Sequence, residues 1–149
     1  NLKGDGWIKN IEIYNNTLYG NPGGGIRVSQ DKKAENITII NNILSDNGSS
    51  QIFCNGKVSN LVVKKNLFWN PASVGSGVND LSPVMGNPRF ANPAIRDFCL
   101  VMGSAAIGKG ESLSRVMTDK DGRPRPTGSG CDIGAYQYGQ RNTPPLPAP

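Results

Sequence analysis

Hydrophobic and polar residues alternate over short stretches in the first half of the chain, as in Ile11-Glu12-Ile13, Ile26-Arg27-Val28 and Ile37-Thr38-Ile39. A period of two sends successive side chains to opposite faces, so these stretches predict β-strands, and the 3.6-residue spacing of an amphipathic helix is missing. Asn, Gly, Ser and Asp gather between the stretches and predict sharp turns.

Three stretches align without gaps: Asn10-Ile-Glu-Ile-Tyr-Asn-Asn16, Asn36-Ile-Thr-Ile-Ile-Asn-Asn42 and Asn60-Leu-Val-Val-Lys-Lys-Asn66. Both the opening and the closing Asn recur after 26 and then 24 residues. A second apolar run repeats as Gly25-Ile-Arg-Val-Ser29 and Gln51-Ile-Phe-Cys54, with Ile26 and Ile52 again 26 apart. A unit of this length with three short strands cannot bury its apolar face alone, but it can do so by stacking on neighbouring units. Coils stacked about 4.8 Å apart set like residue above like residue. The expectation is aliphatic columns inside and a ladder of Asn16, Asn42 and Asn66 at one turn.

The pattern NIxIxNNxL followed by GIxV resembles the right-handed parallel β-helix repeats of the pectate-lyase-like superfamily. After Trp69 the repeat dissolves into turns marked by Asn70-Pro71, Asn87-Pro88 and Asn92-Pro93. The blocks Asn87-Pro-Arg-Phe-Ala-Asn-Pro93, Asp119-Lys-Asp-Gly-Arg-Pro-Arg-Pro126 and Cys131-Asp-Ile-Gly-Ala-Tyr-Gln-Tyr138 resemble the C-terminal end region of secreted bacterial β-helix proteins. The resemblance implies an all-β fold: a right-handed parallel β-helix, a single-stranded solenoid of about three coils over residues 1–82. A C-terminal cap over 83–139 and a Pro-rich tail over 140–149 follow. Phe90, Phe98, Leu100, Ile107, Ile133, Tyr136 and Tyr138 are expected over the last coil, with Arg123 and Arg125 pairing with Asp119, Asp121 or Asp132.

Composition supports this reading. Apolar residues are 36% and aromatics 7%, while Gly (19), Pro (11) and Asn (17) are abundant, which excludes helical bundles and coiled coils. No apolar run approaches the roughly 18 residues that membrane insertion requires. The chain opens at Asn1 with no leader pattern and reads as a segment of something longer, its N-terminal face open to self-stacking.

A net charge of +5 and a pI near 9.3 suit acidic partners such as an acidic polysaccharide. The basic residues are scattered and aromatics do not interleave with them, so no nucleic acid partner is expected. The absence of His removes Ser-His and Cys-His catalysis from this chain. Cys54, Cys99 and Cys131 show no CxxC spacing, so no zinc site is expected. A Cys99–Cys131 disulfide would fasten the C-terminal segment; the alternative is three small buried apolar side chains.

In the resembled enzymes, sugar chains lie along the outside of one parallel sheet, which the strands around Ile26–Val28 and Ile52–Cys54 match best. With Ile26, Val28, Ile52 and Cys54 inward, alternation turns Arg27, Gln51 and Phe53 outward. Together with Lys33 these are the substrate-binding candidates, a cation beside an aromatic face suiting an acidic sugar by charge and ring stacking. Uronate β-elimination needs a cation or Ca²⁺ and a base, often Lys or Arg in this superfamily, and Arg27, Lys32 and Lys33 qualify. Asp31 and Asp46 stand alone in turns, so no carboxylate pair for inverting hydrolysis is evident. No cofactor is evident; Asp119 and Asp121 are the one hint of a Ca²⁺ loop. Among the Asn-x-Ser/Thr motifs, Asn15 and Asn36 read as turn or ladder residues and Asn47 as the plausible glycan acceptor.

The expectation is a secreted or cell-surface carbohydrate-interacting protein, most simply a polysaccharide lyase or glycoside hydrolase-like protein. The rival is a non-catalytic structural or adhesive module that stacks into a fibre.

Overall fold

The computed structural model describes residues 8–29, 34–55 and 58–139. Lys32, Lys33 and the segment 140–149 lie outside the described residues. Nine strands wind into three coils: β1 (Ile8–Tyr14), β2 (Thr17–Tyr19) and β3 (Ile26–Ser29), then β4 (Ala34–Ile40), β5 (Ile43–Ser45) and β6 (Ile52–Asn55), then β7 (Val58–Lys64), β8 (Leu67–Trp69) and β9 (Gly75–Ser76). Equivalent strands pair in parallel, giving a first sheet β1-β4-β7 and a third sheet β3-β6-β9. The second sheet, β2-β5-β8, gains a fourth strand from β10 (Val84–Met85), so the stack runs a little beyond residue 82.

The register follows the sequence repeat. Ile11, Ile37 and Leu61 form one column and Ile13, Ile39 and Val63 the next, while Ile26 pairs with Ile52. Ile39, Leu44, Ile52 and Phe68 are fully buried in this interior, each contributing about 1.5–3 kcal/mol by leaving water.

Asparagine serves the coils in two ways. Asn42 Oδ1 accepts from the Asn16 backbone N–H at 2.9 Å and Nδ2 at 3.1 Å, and Asn66 Oδ1 accepts from the same two groups of Asn42, both at 2.9 Å. The expected ladder is therefore present, and Asp80 forms its next rung. Asn10, Asn36 and Asn60 form a parallel ladder on the first sheet. The residues just before the first ladder, Asn15, Asn41 and Lys65, hold φ of 51°, 60° and 56° to turn the corner, a left-handed conformation that Asn tolerates better than other non-glycine residues.

The second sheet is buried on both faces. Leu18, Leu44 and Phe68 point into the coils, while Ile43 and Leu67 point out and are equally buried. The outward face is covered by the C-terminal segment, which includes the β11 (Phe90–Asn92) and β12 (Asp97–Leu100) hairpin around a 3₁₀ turn at Pro93–Ile95. Leu100, Ala106 and Ile133 pack on Ile43 and Leu67, and Phe90 and Phe98 lie 5.8 and 5.3 Å from the Tyr19 ring of the first coil. Asn15 Nδ2 donates to the Asp132 and Gly134 carbonyls at 3.3 Å, and Gly134 N–H donates to Asn41 O at 2.8 Å. The segment thus braces the coils along one side instead of lying over the last coil as expected. Leu81 and Met85, at the coil end, stay 68% and 46% exposed. The reason is the Ile43-Leu44 and Leu67-Phe68 doublets, which leave an apolar flank needing cover.

Within the brace, Arg125 donates to the Thr118, Asp132 and Gly134 carbonyls, and Arg123 to the Gln137 carbonyl, rather than to carboxylates as expected. Asp119 accepts the N–H groups of Asp121, Arg123 and Gln137, so that both carboxylate oxygens shape this turn. No disulfide joins Cys99 and Cys131; Cys131 is a buried thiol whose Sγ donates to Pro126 O. Burial raises the Cys54 thiol above its ordinary pKa, in keeping with a small apolar core residue.

Candidate functional site

The outer face of the third sheet carries the groove. Ile26 and Val28 of β3 and Ile52 and Cys54 of β6 are buried, so Arg27 and Phe53 between them face out. They are register partners on adjacent coils, with Ser76 of β9 continuing the column. The Arg27 Cζ lies 4.6 Å from the centre of the Phe53 ring, a cation–π distance.

A groove of about 360 Å³ opens over this column, lined by the Gly23–Gly25 loop, Ile26, Arg27, Ser49, Ser50, Phe53 and Ser76. Its rim is built from coil-on-coil contact of backbone. Gly25 donates to the Ser50 carbonyl, Ser49 Oγ donates to Gly23 O, and a Cβ on Gly25 would collide with Gln51 O. Gly75 and Gly77, with φ of 126° and 72°, press more closely still on the Ile52 and Cys54 carbonyls, so the rung beside Phe53 offers only the small Ser76. The result, among the described residues, is a shallow trough with backbone walls and one cation.

Of the four sequence candidates, Arg27 and Phe53 meet here and Lys33 lies outside the described residues. Gln51 does not belong to the groove. It is fully buried, Asn47 Nδ2 donates to its Oε1 at 2.8 Å, and its Nε2 donates to the Trp69 and Pro71 carbonyls. Strand β6 begins at Ile52, so the alternation that predicted an outward Gln51 does not extend to it. Asn47, expected as a glycan acceptor, is 2% exposed and holds a second ladder: its Oδ1 accepts from Asn21 N–H and Nδ2, and its Nδ2 donates to Leu18 O. An amide so enclosed is closed to glycosylation.

Sequence reasoning missed Ser49, Ser50, Ser76 and the glycine loop. A signal was present: the 26-residue spacing that relates Ile26 to Ile52 also relates Gly23 to Ser49, Gly24 to Ser50 and Asn21 to Asn47. Asp80, buried at the end of the Asn16 ladder, had no such signal because it breaks the spacing.

The other outward surface, on the first sheet, is occupied by mutually paired charges: Lys9 with Glu35, Glu12 with Arg115 and Lys64 with Glu111. Tyr14 sits among them, its pKa raised by burial and then by Glu12, with Thr38 hydrogen-bonding it in the opposing sense. Among the described residues, no group of three His, Cys, Asp or Glu side chains is arranged to hold a metal ion. Among the described residues, no helix is long and apolar enough to cross a membrane.

The family model described as right handed beta helix region matches residues 6–96, more than half of the chain. Searches of curated proteins and of solved structures found no match.

Proposed function

The chain belongs to the right handed beta helix family, and from that premise we propose that it is a secreted or cell-surface module that binds acidic polysaccharide along the outer face of its third sheet. The observation that carries the reading is the Arg27–Phe53–Ser76 column in an open trough. An extended polymer laid along the coils meets one side chain per coil, about every 4.8 Å, and a guanidinium in that row attracts a uronate carboxylate. In its catalytic form the proposal is polysaccharide lyase-like. Arg27 neutralises the uronate carboxylate and so acidifies the adjacent C–H, a base removes that proton, and the glycosidic oxygen leaves with the bonding electrons.

Incubation with polygalacturonate, alginate and glycosaminoglycans tests both forms. Co-sedimentation or retardation in an affinity gel reads binding, and a rise in absorbance near 235 nm (roughly the unsaturated uronate band) reads elimination. Failure to bind any of them with the fold intact overturns the reading.

The rival reading is a module that stacks into a fibre, which the exposed Leu81 and Met85 at the coil end favour. Asp80 weighs against it. An acceptor-only carboxylate ends the Asn16 ladder at that end and offers no donor to a further asparagine. Concentration-dependent light scattering separates the two, a monomer at all concentrations removing the fibre.

A further inference from the structure

We propose that the groove selects its sugar through a single oxyanion, a carboxylate or sulfate, gripped edge-on by Arg27, and that Phe53 acts as a positioning residue for that guanidinium rather than as a stacking platform of its own. This deepens the function proposed above and rests on it.

Lys9, Lys64 and Arg115 each have a carboxylate within 3.1 Å, and Arg125 is buried among carbonyls. Arg27 is exposed, and among the described residues its partner is the Phe53 ring. Among the described residues, those lining its groove include no Asp or Glu. A cation whose charge is not matched inside its own groove leaves that charge available to a ligand.

A guanidinium lying over an aromatic face uses that face and leaves the N–H groups in its plane directed outward, in the fork that matches the two oxygens of a carboxylate or sulfate. The ring face toward Arg27 is thereby taken up by the guanidinium, which is the positioning role proposed for Phe53. Ser49 Oγ and Ser50 Oγ donate to the Gly23 and Ile52 carbonyls, which leaves their oxygen lone pairs to accept from sugar hydroxyls. The trough therefore offers one anion fork beside hydroxyl acceptors.

Binding of the full chain to polygalacturonate, to fully methyl-esterified polygalacturonate, to dextran sulfate and to dextran is measured by titration calorimetry, with thermal melts confirming each variant's fold. Polygalacturonate or dextran sulfate is expected to bind at least tenfold more tightly than its neutral counterpart, and the stronger of the two identifies the oxyanion. Arg27→Lys, which keeps the charge and loses the fork, and Arg27→Met are both expected to lose about tenfold or more. Phe53→Leu is expected to lose several-fold with Arg27 intact, and Phe53→Tyr to retain binding. Equal affinity for charged and neutral polymers, or full binding by Arg27→Met, overturns the oxyanion proposal. Full binding by Arg27→Lys overturns the fork, and full binding by Phe53→Leu overturns the positioning role. Ser76→Trp, which fills the trough, keeps the two levels apart. If it abolishes binding while Arg27→Met does not, the groove stands and the oxyanion fails; if it leaves binding intact, the groove itself is wrong.

Discussion

Asn66 ends its ladder on Asp80: its backbone N–H and its Nδ2 both donate to Asp80 Oδ2, at 3.1 and 2.8 Å. The other carboxylate oxygen accepts from Ser82 N–H at 2.9 Å. A residue outside the repeat thus takes the place that asparagine holds in the coils below. Asp80→Ala leaves buried donors of Asn66 without an acceptor and is expected to cost about 2–3 kcal/mol. Asp80→Asn is expected to recover part of that loss, since one amide oxygen still accepts from Asn66 while the amide nitrogen opposes Ser82 N–H. Urea denaturation of both variants checks the order, and equal stability of Asp80→Ala and wild type removes the terminating role.

Position within the ladder sets the cost of losing a rung. Asn42 is fully buried, accepts two bonds from Asn16 and donates to Asn66 Oδ1 and to the Ile13 and Ile40 carbonyls. Asn42→Ala is expected to cost about 3 kcal/mol or more, and Asn16→Ala, at the exposed first coil, about 1 kcal/mol. Denaturant midpoints compared at fixed slope test this, and similar losses at the two sites count against the ladder as a buried scaffold.

Lys65 occupies the corner that Asn15 and Asn41 occupy in the earlier coils, with φ of 56°. A long side chain is strained there by comparison with Asn. Lys65→Asn is expected to stabilise the protein by about 0.5–1 kcal/mol, read as a rise in melting temperature. A fall shows that the lysine makes a compensating contact.

Phe98 ties the brace to the first coil, its ring 5.3 Å from Tyr19 and 5.2 Å from Phe90. Phe98→Ala is expected to cost about 2–3 kcal/mol, below the usual figure for a fully buried ring because Phe98 is half-buried. Hydrogen exchange should quicken at Tyr19 and over 90–100 before the second coil is affected. Uniform quickening would mean that the brace and the coils unfold as one unit.

Asp132 gives the brace a pH dependence. Burial raises its pKa above the ordinary aspartate value of 3.8, opposed by the Tyr138 and Gly108 N–H groups and by the Arg125 charge. The folded state then holds the proton more tightly than the unfolded chain does. The contribution of Asp132 is complete below 3.8 and is lost as pH rises through the folded pKa. Denaturant midpoints over a pH series should therefore fall for the wild type relative to Asp132→Asn as pH rises through that window. Parallel curves would show that the carboxyl is not desolvated.

The sequence by itself determined the coils: which residues stack, in which register, and which asparagines form the Asn16 ladder. It could do so because coil-on-coil pairing relates residues at a nearly constant offset, so a three-dimensional neighbour is also a recurrence along the chain. Arg27 over Phe53 was legible for the same reason, as two outward positions 26 apart. The tertiary structure alone decided what does not recur. Gln51 turns inward because a strand starts one residue after it, a boundary that alternation cannot locate. The brace crosses to the first coil through contacts such as Asn15 with Asp132, 117 residues apart and without periodicity to announce them. Which apolar flank such a segment covers depends on the surface the finished coils leave exposed, and that surface exists only after they have stacked.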